Sequence, residues 1–142
     1  MTLIEEVAQD CACRRARMAA RKITRSYDDA LRPSGLKVTQ FTLLVAIRHG
    51  QPQSISSLAD WLAMERTTLT RNLQLLEREA LIEVGPEGYR RARTMTLTAK
   101  GHRAVERALP HWRAAQQALQ RRIGPERWRE TRDCLDELVQ TA

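Results

Sequence analysis

Thr67, Thr68, Thr70, Arg71 and Gln74 sit within eight consecutive positions of a segment otherwise striped with leucine. Short polar side chains and arginine are the groups that reach base edges in a DNA major groove. A threonine methyl meets the methyl of thymine, and a guanidinium bonds guanine twice. A second cluster, Arg90, Arg91 and Arg93, follows in a stretch that also holds Gly85, Pro86 and Gly88. Arginines on such a connector suit phosphates, or the narrow and electronegative minor groove. Taken separately, the first segment also reads as an ordinary amphipathic surface helix and the second as a solvated charged loop. Their close succession favours a DNA-binding unit.

Other chemistries find little support. There is no nucleophile elbow, phosphate-cradling glycine loop, metal motif or acid/base pair, so no catalytic residue and no cofactor is assigned. Asp28 and Asp29 are adjacent, so on a helix their carboxylates diverge; local capping or ion pairing is the expectation. His49, His102 and His111 do not stand at metal-ligand spacing with the cysteines, and the metal assignment is none. Cys11, Cys13 and Cys134 are too few and too scattered for a disulfide framework.

Charge agrees with a polyanionic partner. The 142 residues carry 24 Lys+Arg against 17 Asp+Glu, a formal net charge of +7, and such a field attracts nucleic acid first. The excess is localised. Six basic residues and no acid lie between Cys11 and Tyr27, and five bases face one acid, Glu87, between Val84 and Val105. Between Gln120 and Glu137, five arginines are balanced by five acids. No apolar run approaches the ~18 residues of a membrane span, and the acids following Met1 do not resemble a secretory leader. The expected location is the cytoplasm, with no membrane partner.

These side chains need elements to hold them. A first helix is expected from Ile4 to Leu31, with Ala16, Ala20, Ile23, Tyr27 and Leu31 on one face, broken by Pro33-Ser34-Gly35. Thr39 is placed to cap a helix over Gln40–His49, which Gly50 would end. Ser56 or Ser57 would cap the next, burying Leu58, Ala59 and Leu62. Thr67–Ala80 is the most regular stretch, with Leu69, Leu73, Leu76 and Ala80 on its buried stripe. Leu81–Val84 and Thr94–Thr98 read as two short strands of a hairpin with the arginines near its tip. Thr98 would cap a long helix towards Arg122, kinked at Pro110. Gly124-Pro125 would open the last helix, striped by Trp128, Leu135 and Leu138. Trp61, Trp112 and Trp128 are expected in the core. Helix, helix, short turn, helix, basic hairpin is the order of a winged helix-turn-helix.

The same residues carry a family resemblance over nearly the whole chain. Tyr27–Leu36, Val38–Leu44, Leu58–Leu62, Thr67–Leu73, Leu76–Ile82 and Leu97–Gly101 together resemble the MarR family of bacterial regulators. The resemblance implies a mainly α fold with a small β-hairpin wing, a winged helix-turn-helix inside an all-helical dimerisation frame. It implies one MarR-like domain over residues 1–142, with a DNA-binding lobe at 36–100. Residues 1–35 and 101–142 would form the dimerisation region. The implied partners are double-stranded DNA, a second copy of the chain and a small-molecule effector of aromatic or phenolic type, with Trp112 near its pocket. The expected function is a sequence-specific repressor that binds a pseudo-palindrome as a homodimer and is released by a small-molecule or redox signal. Family wings usually read Asp-x-Arg; here Tyr89 replaces the Asp before Arg91, and Glu87 is the acid available to substitute.

Some family members sense oxidants through an N-terminal cysteine. Arg14, Arg15 and Arg17 can favour a thiolate at Cys11 or Cys13, so redox sensing there stands beside the reading of inert thiols. Two residues apart on one helix, the two cysteines would not pair within a chain. An architectural binder without sequence preference and a winged-helix module for an acidic protein partner are the alternative functions.

Overall fold

A computed structural model describes all residues, Met1–Ala142. It contains α1 (Leu3–Asp10), α2 (Ala12–Leu31), α3 (Val38–Gly50), α4 (Ile55–Trp61), α5 (Arg66–Arg78), β1 (Ile82–Val84), β2 (Met95–Leu97), α6 (Ala99–Ile123) and α7 (Pro125–Thr141). The two strands pair antiparallel, Ile82 opposite Leu97 and Val84 opposite Met95. The fold is the mainly α architecture with one β-hairpin that the sequence predicts. No helix is long and apolar enough to cross a membrane.

One core holds the central elements together. Leu31, Leu44, Ile47, Leu58, Leu69, Leu76 and Val105 are its largest fully buried side chains. They come from α2 through α6, so α3, α4, α5, the hairpin and the start of α6 close on shared apolar atoms. Burying a Leu, Ile or Val side chain contributes roughly 1.5–3 kcal/mol. Leu69, Leu73 and Leu76 fix α5 by its inner face and leave its polar face outward.

Several boundaries differ from those expected. The first helix is two: Cys11 takes an extended ψ of 112° between α1 and α2. No proline or glycine marks this break; the Arg15 guanidinium donates to the Gln9 carbonyl that the break exposes. Thr39 is not the cap of α3. That helix starts at Val38, whose N–H donates to Asp28 Oδ1 (2.7 Å), while Gln40 Oε1 accepts from Lys37 N (3.0 Å). Asp29 pairs with Arg32. The adjacent acids thus divide into one cap and one ion pair.

Gly50 does not stop α3 either; Gln51 does, in the left-handed region at φ 43°. Gly50 serves close packing, since a Cβ there would lie 2.9 Å from Trp61 Cζ3. Trp61 itself is 57% exposed, not core. Its ring covers the end of α3 from outside. Trp112 packs beside Phe41, ring centroids 6.3 Å apart, and Trp128 is half-buried.

The cap of α4 is Ser54, ahead of both serines expected: its Oγ accepts from Ser57 N (3.0 Å), and Ser57 Oγ accepts from Ser54 N (3.2 Å). Helix α5 ends at Arg78, so Ala80 leaves the stripe and lies exposed at φ 58°. Thr98 does cap α6, accepting from Gly101 N (3.0 Å). That helix runs through Pro110 as one element. The Leu135 and Leu138 stripe of α7 stays open to solvent.

Candidate nucleic-acid interface

Helix α5 is fixed from below by three buried leucines, Leu69, Leu73 and Leu76, and its outward face is polar apart from the partly exposed Leu75. Thr67, Thr68, Arg71 and Gln74 are exposed and Thr70 is half-buried. Arg66, Thr67, Thr70, Arg71 and Gln74 line one shallow concavity of about 390 Å³. Four of the five residues singled out from sequence therefore share a surface; Thr68 is not in its lining. Arg66 is the addition. The sequence reading begins the helix one residue later, yet Arg66, Thr70 and Gln74 are spaced by four, the step that keeps side chains on one face. Farther along, Gln74 shares a second concavity with Glu77 and Arg78.

The start of α5 is left open as well. Its N-cap, Glu65, makes no side-chain bond to the first turn, so amide N–H groups there face outward with the positive end of the helix dipole. An anionic oxygen is the natural partner of such groups.

The hairpin holds its arginines in two places. Beyond β1, Gly85 N donates to Thr94 O (2.9 Å) and Gly88 N to Ala92 O (2.7 Å), which draws the connector into a narrow loop. At its tip Tyr89–Arg91 forms a single 3-10 turn in which Arg90 and Arg91 are left-handed, at φ 53° and 59°. The Arg90 guanidinium lies 5.3 Å from the centroid of the Tyr89 ring, and Tyr89 is itself 83% exposed. Arg91 Nε stands 3.8 Å from Glu87 Oε1. Glu87 is thus the acid that stands beside Arg91. The pair is exposed, so it contributes at most about 1 kcal/mol; its effect is on the direction of the arginine. Arg93 belongs to the base of the hairpin. It is half-buried, and its N–H donates to Gln53 O (2.9 Å), tying the wing to the segment before α4.

The remaining candidates lie elsewhere. Cys11 is half-buried at the break between α1 and α2, Cys13 is exposed in the first turn of α2, and Cys134 is exposed on α7; all three are free thiols. The break removes the premise that Cys11 and Cys13 ride one continuous helix. A groove of about 460 Å³ runs between α2 and α6, lined in part by Ile23, Tyr27, Ala118 and Leu119. From its wall the Tyr27 hydroxyl donates to Gln116 Oε1 on α6, and burial holds that hydroxyl's pKa above its ordinary value of 10.

No family model matches the chain. Solved structures do. The M. tuberculosis transcriptional regulator MosR is 40% identical over 93% of this chain and 95% of its own, with a TM-score of 0.81. MosR in complex with DNA superposes at 0.83. A mutant MarR from E. coli, solved with operator DNA, is 21% identical, covers 97% of this chain and 99% of that one, and has a TM-score of 0.82, a likeness of fold. An uncharacterized HTH-type transcriptional regulator of Bacillus cereus is 33% identical over 92 residues. That match spans 65% of this chain and only 61% of the Bacillus protein. On its identity to MosR along nearly the full length of both chains, this protein belongs to the MarR family of transcriptional regulators.

Proposed function

We propose that this protein is a sequence-specific DNA-binding regulator that acts as a homodimeric repressor in the cytoplasm, by binding and not by catalysis. Residues 36–100 are the DNA-binding lobe, and residues 1–35 and 101–142 the dimerisation region. The observation that carries this reading is the outward face of α5, where Arg66, Thr67, Thr70, Arg71 and Gln74 share one open concavity above a leucine-packed inner face. A helix so mounted can enter the major groove with base-reading side chains leading. Two such helices, one per protomer, would sit about one DNA turn apart, ~34–36 Å, and read a pseudo-palindrome. Thr67, Thr68, Thr70, Arg71 and Gln74 serve the bases. Arg90 and Arg91 at the wing tip reach the minor groove or phosphates, and Arg93 anchors the wing while its charge favours phosphate.

Fluorescence anisotropy on duplex DNA from upstream of the protein's own gene, with excess unrelated competitor, tests this. Arg71→Ala is expected to lose about 1–3 kcal/mol of discrimination at one base pair. Arg90→Ala should weaken all sequences alike and lower the salt slope by about one. If the two variants lost affinity equally on every sequence, the division of roles would be wrong. Binding that competitor abolishes would point to an architectural binder. No binding even at low salt would leave the basic face to an acidic protein partner.

Release from DNA follows a small aromatic ligand or oxidation at Cys11 or Cys13. The thiols are tested with peroxide: a Cys11→Ser, Cys13→Ser variant that leaves DNA as readily as wild type would exclude them as the sensor.

A further inference from the structure

The turn that leaves the C-terminal end of α5 is held by the N-cap and first turn of α6. Three successive carbonyls, those of Glu79, Ala80 and Leu81, are all engaged. Lys100 Nζ donates to Glu79 O (2.8 Å). Thr98 Oγ1 donates to Ala80 O (2.6 Å), and Thr98 N donates to Leu81 O (3.1 Å). Gly101 closes the junction from beneath: it is buried, and a Cβ there would overlap the Leu81 carbonyl oxygen. Ala80, between these bonds, is held at φ 58°, a conformation an alanine rarely keeps without such support. The Lys100 ammonium also sits at the negative end of the α5 dipole, where a cation is favoured.

One such contact would leave a hinge. Several contacts, spread over three consecutive carbonyls, resist sliding of α5 more than a single bond would. The partner in all of them is the start of a 25-residue helix, about 37 Å long at ~1.5 Å per residue. Farther along, that helix is tied to α2 by the Tyr27–Gln116 bond and packs on α7. A tilt of α6 relative to the lobe therefore bears directly on the end of α5.

We infer that Thr98 and Lys100 are positioning residues that clamp α5 to α6, so that the terminal helices set the angle at which Arg71 and Gln74 are presented. This rests on the DNA-binding reading above. Neither side chain is assigned a contact with DNA; both act through α5. Without the clamp, each α5 would still meet its own half-site, but the spacing between the two would be loosely defined.

The test compares full-length wild type with Lys100→Met, Thr98→Val, the double variant and Thr98→Ser, which keeps the hydroxyl. The probes are the duplex that wild type selects from a randomised pool and the same duplex with one base pair inserted at its centre. Insertion shifts one half-site by about 3.4 Å and turns it by about 34°. Wild type is expected to prefer the uninserted duplex about a hundredfold. The double variant should retain about a tenfold preference, the single variants should fall between, and Thr98→Ser should match wild type. A double variant that melts lower yet keeps the wild-type ratio overturns the clamp, because the bonds would then be structural only. Should the double variant fail to fold, Lys100→Met alone decides on the same ratio, since it leaves the α6 cap intact. A wild type that selects no sequence overturns the DNA-binding reading and the clamp together; a selective wild type with an unaltered double variant overturns the clamp alone.

Discussion

The central lobe and the terminal helices both carry apolar stripes of leucine and valine, yet only one of them closes on itself. From Leu31 to Ala108, eighteen residues form a single buried cluster. In α1 and α7 no residue is buried. Ile4 is 82% exposed and Val139 74%, and Leu135 and Leu138 are about half-exposed. Both terminal helices are amphipathic, so their apolar stripes are organised but uncovered. Organised apolar stripes left uncovered in this way suit an interaction surface. The lobe thus holds its shape through its own packing, whereas the apolar side chains of the ends stand open. A second copy is the proposed cover. Charge is divided as well: α1 holds Glu5, Glu6 and Asp10 and no base, while α2 carries six bases and no acid between Cys11 and Tyr27.

Substitutions of leucines in each region should separate the two. The largest effect is expected from Leu69→Ala, at a fully buried position on the inner face of α5. The lost transfer energy and residual cavity should cost about 2–5 kcal/mol, seen in denaturant melts as a lower midpoint at every protein concentration. Leu135→Asp with Leu138→Asp should do the reverse. Lobe packing should persist, while sedimentation shows the dimer dissociation constant raised at least roughly tenfold, from the loss of apolar burial on each protomer. A double variant that remained dimeric at wild-type concentrations would place the covering contact elsewhere.

Tyr27→Phe lies on the border between the regions and should cost about 0.5–1.5 kcal/mol through the bond to Gln116. It also carries a pH signature. Burial raises the hydroxyl pKa in the folded state above 10. The stability linked to that proton is therefore complete below the unfolded value, near 10, and is lost as pH rises through the folded one. Alkaline melts of wild type should fall more steeply than those of Tyr27→Phe; parallel curves would show that burial of this hydroxyl does not contribute. The smallest effect belongs to the outermost cap. Thr2 and Glu5 form a reciprocal capping box, and hydrogen bonds from Thr2 hold the Glu5 carboxyl below its ordinary 4.5. Its contribution is present above that value and is lost as pH falls through the depressed one. Thr2→Ala should speed amide exchange in α1 alone, with the melting of the lobe unchanged.

Local and tertiary information divide along clear lines. The buried stripe of α5, the cap at Thr98, the hairpin with its basic loop and the helix opened by Gly124-Pro125 were all legible in the chain. Each depends on residues within a turn or two of one another, and helical periodicity, capping and turn chemistry are properties of neighbours. What lay beyond reach depends on atoms brought together across the fold. Asp28 caps a helix ten residues downstream, which moved the start of α3 ahead of Thr39. Gly50 is small because a tryptophan from the next helix lies over it, and that tryptophan is exposed for the same reason. Arg66 joins the outer face of α5 because the helix begins one residue sooner than its leucine pattern suggests. The bonds from Thr98 and Lys100 to the end of α5 span 18 and 21 residues. Sequence pattern sets which face of an element is apolar; only the packed chain settles which partner meets it, because a donor or a ring finds its contact by distance in space and not by distance along the chain.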